Sequence, residues 1–246
     1  MQNILIEARR QLAPAGVLKA ALNLSNSLLN KGRDTAGQWQ GVAPDLARAI
    51  AYQLGTPVDF VPYATPAEVA AAVHEGAWTI ALIAADPARS GAITFTTPYS
   101  RIEAAYLVPP GSSIKHLKEV DGPGIRVAAY KGSAYGLWLE RNLRHATLVH
   151  APTFEDAFNL LRAGEADLLA SLVPMLEDNR TAWPGCRILE GRFMIVQQAV
   201  ACPAQDSQAA LFLRGFVDDA IRKGLISELI KRHNAQGLVA APASEP

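Results

Sequence analysis

Residues 78–84 form a near-continuous apolar run, and residues 167–172 form another. Each follows a segment of helical spacing that stops at a glycine, Gly76 and Gly164 respectively. A strand that is apolar on both faces has to be covered on both faces, as strands of parallel sheets flanked by helices are. That requirement points to an α/β fold in which strands and helices alternate.

The rest of the chain supports the alternation. Residues 18–23, 58–62 and 126–130 read as strands, and residues 45–54 have helical spacing ended by Gly55, a residue suited to a left-handed cap. Thr65-Pro66-Ala67-Glu68 and Thr153-Phe154-Glu155-Asp156 are capping boxes, the first with proline at the first helical position. Lys131-Gly132-Ser133-Ala134 turns into a helix reaching Leu143. Asp206-Ser207 is expected to cap the last long helix, which breaks at Gly224 and resumes to about Asn234. Its stripe of Leu211, Phe212, Gly215, Phe216 and Ala220 is expected to face the core, and the tail 240–246 to fray. Two extended runs ended by proline, 103–110 and 195–203, interrupt the rhythm. Read as hinge strands, they divide the chain into a discontinuous first lobe (1–107 plus 197–246) and a second lobe (108–196).

Composition narrows the function. The 246 residues carry 23 Lys+Arg against 23 Asp+Glu, with no basic run. A nucleic-acid footprint or an anionic membrane surface would need clustered positive charge. No window reaches the roughly 18–20 apolar residues of a transmembrane helix. Residues 1–10 lack the pattern of a secretory signal, so either a signal has been removed or the protein stays in the cytoplasm. Cys186 and Cys202 fit no metal spacing and are expected as buried free thiols. The five histidines form no ligand pair at helical spacing, so no metal is expected.

Several segments occur in a telling order. Gly16-Val17-Leu18-Lys19-Ala20 precedes the first strand, and Gly41-Val42-Ala43-Pro44-Asp45-Leu46 opens the first helix after it. Asp86-Pro87-Ala88-Arg89, Ile93-Thr94-Phe95-Thr96-Thr97-Pro98-Tyr99, Lys131-Gly132-Ser133 and Gly164-Glu165-Ala166-Asp167 follow. In that order they resemble the type II periplasmic solute-binding proteins of ABC importers, in the branch of polar amino-acid receptors. The resemblance covers nearly the whole chain. It implies a two-lobed fold with two hinge strands, and a central cleft that closes over a small-molecule ligand. It also implies ABC permease subunits as partners, a periplasmic location, a monomer, and no cofactor.

The resemblance further implies that Arg89 grips a ligand carboxylate, a task suited to paired, charge-assisted hydrogen bonds from a planar guanidinium. Ser133 matches the family's hydroxyl residue at a helix N-terminus, where Ala134 and the free N–H groups suit an anion. Asn26, Ser25, Tyr63, Tyr135, Ser171 and Gln198 are further cleft candidates. The four tryptophans are expected to be packing residues. Two departures bear on the ligand. The family's aspartate partner for an α-ammonium is Leu172 here, and its hydroxyl residues before the arginine are Leu82 and Ala84. The ligand is therefore expected to be a carboxylate other than an ordinary α-amino acid.

Two alternatives remain open at this point. Cyclohexadienyl dehydratases resemble the same receptors, but the position of their catalytic glutamate is Tyr135 here, a poor proton donor by comparison. No Ser/His/Asp or Cys/His set can be nominated, so a receptor is expected rather than an enzyme. The other alternative is a cytoplasmic ligand sensor on the same fold.

Overall fold

The computed structural model describes residues 2–243. In chain order the elements are α1 (Gln2–Leu12), β1 (Leu18–Asn23), β2 (Gly32–Arg33), β3 (Trp39–Gln40), α2 (Val42–Leu54), β4 (Val58–Tyr63), α3 (Pro66–Ala71), β5 (Ile80–Ala84), β6 (Ile93–Phe95) and β7 (Ser100–Val108). Then come β8 (Arg126–Tyr130), α4 (Ala134–Asn142), β9 (Thr147–Ala151), α5 (Phe154–Arg162), β10 (Leu168–Leu172), α6 (Val173–Ala182), β11 (Arg187–Ile188), β12 (Met194–Pro203), α7 (Ser207–Arg222), α8 (Leu225–Arg232) and β13 (Leu238–Ala240). The chain divides into two compact units, Met1–Arg101 with Gln197–Pro246, and Ile102–Val196. It leaves the first unit inside β7 and returns inside β12.

In the first unit β1 lies between β4 and β5, all three parallel. The returning half of β12 runs antiparallel to β5, and β6 antiparallel to β12. All five residues of β5 are buried, as the apolar run requires. On one side Val69, Val73, Trp78, Ile83 and Ile93 pack together, with Tyr63 against them. Trp78 lies just before β5 rather than inside it, and its indole N–H donates to the Val69 carbonyl at 2.9 Å. In the second unit β10 lies between β7 (antiparallel) and β8 (parallel), and β9 continues the sheet beside β8. Phe158, Leu161, Leu169 and Leu176 form its core, with Trp183 packed on it.

The threonine half of each expected capping box forms, but the reciprocal half does not: Glu68 Oε2 accepts the Ala64 N–H, and Asp156 Oδ2 accepts the Thr153 hydroxyl. Thr65 accepts the Glu68 N–H at 3.1 Å and Thr153 the Asp156 N–H at 3.0 Å. Gly55 caps α2 at φ 65°, in the left-handed region. Gly41 is demanded by space as well as by its φ of 133°: a Cβ there would lie 2.2 Å from the Leu29 carbonyl oxygen. Cys186 and Cys202 are both buried and unbridged, and burial pushes both thiols up, that of Cys202 to about 12.

Three further expectations need correction. Asp206 makes no side-chain cap on α7. The Ala209 N–H is met instead by the side-chain oxygen of Gln11, at 2.8 Å, from a helix absent from the sequence reading. The core-facing residues of α7 are Ala209, Leu213, Val217 and Ala220, whereas Leu211 is 52 % exposed and Phe212 and Phe216 are half-buried. Of the tail expected to fray, residues 244–246 lie outside the described residues. Ala241 is buried and its N–H donates to the Tyr99 carbonyl at 2.9 Å.

At the start of α2, Asp45 accepts from Arg48 Nη1 and lies 2.7 Å from Nε2 of His233, the residue following α8, with Arg232 3.5 Å away. Burial pushes the Asp45 carboxyl up, but hydrogen bonds from His233 and Arg48 outweigh it and hold the carboxyl below its usual range. A depressed folded-state pKa gives stability that is present above the unfolded value near 4 and is lost as pH falls through the folded value. Asp45→Asn should therefore lower the melting temperature at pH 7 by about 2–4 °C, corresponding to about 1 kcal/mol for a partly solvated pair. The gap between variant and parent, followed by calorimetry, should narrow below about pH 4.

Candidate functional site

In each unit the residues singled out from sequence gather at the C-terminal edge of parallel strands, the edge at which open α/β sheets bind ligands. In the first unit, β5 ends at Ala84. Asp86 Oδ1 accepts the Ala88 N–H at 2.9 Å, which nucleates a single 3₁₀ turn, Pro87–Arg89. That turn folds the Arg89 side chain back over the end of β5, where Nη1 donates to the Ala84 carbonyl at 2.6 Å. Arg89 is only 7 % exposed, unusual for a guanidinium. Ala84 thus acts through its carbonyl, as the anchor of the arginine. Gln198, also buried, stands opposite Ala84 in the β5–β12 register.

β1 is the parallel neighbour of β5, so the turn after β1 opens on the same edge. Asn23 Oδ1 accepts from the N–H and the hydroxyl of Ser25, so Ser25 is spent inside the turn. Asn26, itself buried, accepts the Leu28 N–H at Oδ1 at 3.2 Å, so its amide NH₂ keeps its two donors. Asn30 was missed by sequence reasoning. Its Nδ2 donates to the Asn23 carbonyl at 2.8 Å and ties the two ends of the turn together. The only signal was three asparagines within eight residues, at positions 23, 26 and 30.

In the second unit, β8 and β10 are parallel neighbours. After β8, the Ser133 hydroxyl donates to the Tyr130 carbonyl at 2.7 Å and accepts the Gly136 N–H at 3.0 Å, capping α4. Ser133 thus caps α4, an arrangement compatible with a ligand contact at the same hydroxyl. The backbone N–H groups of Ala134 and Tyr135 open the helix and belong to the set that no helical carbonyl reaches. Position 136 must be glycine, because a Cβ would lie 2.7 Å from the Tyr130 carbonyl oxygen and 2.9 Å from Ser133 Oγ.

Beside this cap, at the end of β10, Ser171 Oγ lies 3.4 Å from the Tyr135 hydroxyl, and both residues are buried. Burial pushes the Tyr135 phenol up to about 12, although hydrogen bonds with Ser171 and Ser133 act against it. Leu172 follows at the N-cap of α6 and makes no side-chain cap there. Aspartate or serine would be usual at such a position. The structure thus brings Arg89 together with Ala84, and Ser133 together with Tyr135 and Ser171, while Asn26 occupies its own turn. Tyr63 packs against the core of the first unit. Trp138 lies tilted against Phe193, with ring centroids 5.4 Å apart, and Trp39 lies beneath the Arg33 guanidinium. Among the described residues no His/Cys/Asp/Glu cluster could hold a metal ion, and no helix is long and apolar enough to cross a membrane.

The model of the bacterial extracellular solute-binding proteins, family 3, matches residues 31–235. A comparison with curated proteins finds no match. Solved structures with the same fold include a mutant of ArgBP from T. maritima, at TM-score 0.74 and 20 % identity, covering 93 % of this chain and 100 % of that one. The amino acid ABC transporter substrate-binding protein AbpA from Streptococcus pneumoniae, bound to L-arginine, matches at TM-score 0.74 and 22 % identity, covering 92 % and 98 %. The ancestral amino acid-binding protein AncCDT-1, a precursor of cyclohexadienyl dehydratase, matches at 0.73 and 21 %, covering 90 % and 96 %. At such identities the likeness is one of fold, here the type II periplasmic binding-protein fold.

The asparagine clasp makes a stability prediction. Asn30→Ala removes the shorter of the two hydrogen bonds to the buried Asn23 carbonyl, leaving the Asn26 N–H at 3.3 Å, a loss of about 1 kcal/mol. Thermal denaturation should show a melting temperature lower by about 2 °C or more.

Proposed function

Since the chain belongs to the bacterial extracellular solute-binding proteins, family 3, we propose that it is the receptor of an ABC importer for a small carboxylate lacking an α-amino group. The observation that carries this reading is Arg89, a guanidinium buried and anchored at the end of β5. In this reading Arg89, held by the Ala84 carbonyl, receives the carboxylate, and the NH₂ of Asn26 supports it. Within the second unit, the N–H groups of Ala134 and Tyr135 at the start of α4, with Ser171 beside them, are its candidate ligand contacts. Leu172 sets specificity: an ammonium buried opposite it would lack a partner, which costs roughly 2–5 kcal/mol. That corresponds to about 30-fold to a few thousand-fold in affinity. The ligand, once bound, is passed to membrane permease subunits outside the cytoplasm.

L-Arginine is the ligand named for AbpA, and it is an α-amino acid. The same fold thus serves an amino-acid receptor, and Leu172 is what argues for a different ligand here. A dehydratase role is disfavoured by Tyr135, a buried phenol at about 12 and a weaker acid than ordinary tyrosine.

A thermal-shift screen of small carboxylates tests the reading. A ligand at 100 times its dissociation constant stabilises the protein by about 2.7 kcal/mol. That should raise the melting temperature by roughly 5–10 °C. Arg89→Lys keeps the charge without the planar fork and should weaken binding at least about tenfold; Arg89→Ala should abolish the shift. A carboxylate that shifts Arg89→Ala as strongly as the parent would remove Arg89 from the site.

A further inference from the structure

On the face of β5 that carries Leu82 and Ala84, the partner residues on β12 are Val200 and Gln198. Leu82 and Val200 are apolar and fully buried, as a core pair should be. Ala84 and Gln198, nearer the strand end, break that pattern. Gln198 is 3 % exposed, yet among the described residues no hydrogen bond meets its side-chain amide. An amide buried without a partner is costly, and folded proteins seldom keep one without a use for it. The backbone does not supply that use. The Gln198 carbonyl already accepts the Tyr99 N–H at 2.8 Å, which fixes the main chain whatever the side chain does.

The register places this amide. The Ala85 N–H donates to the Gln197 carbonyl at 2.9 Å, so 84 with 198 is the adjacent pair that exchanges no backbone hydrogen bonds. Side chains of such a pair stand on one face with Cβ atoms about 4.5–5.5 Å apart. Ala84 presents only a methyl there, and its carbonyl anchors Arg89 Nη1 at 2.6 Å. One residue thus holds the guanidinium through its backbone and borders the amide through its side chain. Both groups share the C-terminal edge of β5, within the first unit.

We propose that Gln198 is a specificity-determining ligand contact: its amide reads an uncharged oxygen on the carbon next to the carboxylate. The inference rests on Arg89 receiving that carboxylate, as proposed above. A carboxamide is neutral, so it does not compete with the ligand for Arg89, and it offers two N–H donors and one acceptor. It can donate to a keto oxygen, and can donate to or accept from a hydroxyl. The ligand class is therefore a 2-oxo or 2-hydroxy acid rather than a plain carboxylic acid. A site that buries a polar group for a ligand oxygen penalises the analogue lacking that oxygen, because the group is then left unpaired.

Calorimetric titration of the full chain with two series of acids tests this: pyruvate, lactate and propionate, and phenylpyruvate, 3-phenyllactate and 3-phenylpropionate. In at least one series the parent is expected to bind an oxygen-bearing acid about tenfold or more tighter than the plain acid. The order of the oxo and hydroxy members tells which oxygen is read. Gln198→Leu should bring the three acids of that series within about threefold of one another. Because it removes an unpartnered buried amide, it should leave the ligand-free melting temperature unchanged or higher, whereas loss of a structural amide would lower it. Gln198→Met repeats the comparison with an unbranched side chain. Equal affinities in the parent, no binding in either series, or a preference that both variants leave intact would overturn the inference. Arg89→Ala separates it from the reading beneath it. Binding that persists in Arg89→Ala removes the carboxylate reading itself; binding lost there but unaltered by the Gln198 variants removes only the role of Gln198.

Discussion

The carbonyl of Ala84 and the guanidinium of Arg89 make the bond on which the functional account depends. A guanidinium removed from water is costly unless fixed groups meet its donors, so it needs a scaffold that holds it in place. Here β5 supplies that scaffold. All of its residues are buried, it is flanked by β1 on one side and β12 on the other, and it delivers the Ala84 carbonyl at a defined point. The 3₁₀ turn capped by Asp86 then brings the arginine back over the strand end. Without a rigid β5 there is no reason for a charged side chain to stay buried at that edge.

The second unit uses the same layout with opposite chemistry. Its strands β8 and β10 end beside a helix start whose Ser133 cap is closed on its own backbone, which forces Gly136. Around it lie hydroxyls and a leucine rather than a carboxylate.

Much of this was legible in the sequence because local rules governed it. Thr65, Thr153, Ser133 and Gly55 each cap through contacts within a few residues, and β5 and β10 could only be two-sided strands. What was not legible depended on distant partners. Periodicity found an apolar stripe on α7 but could not tell which of two apolar faces met the core; Leu213 and Val217 won it. Asp206 looked like a cap, yet Gln11, 198 residues away in sequence, meets the Ala209 N–H. Asn30 carries no motif, and its role arises only once the turn after β1 has closed.

The central claim, that Leu172 excludes the α-ammonium, is tested most directly by calorimetric titration of a matched pair, one carboxylate and its α-amino counterpart. The parent protein is expected to prefer the amine-free acid by about 30-fold or more. Leu172→Asp should fold well, since aspartate is favoured at a helix N-cap, and should move the preference toward the amino acid. Equal affinities in the parent, or a ratio that Leu172→Asp leaves unchanged, would contradict the account.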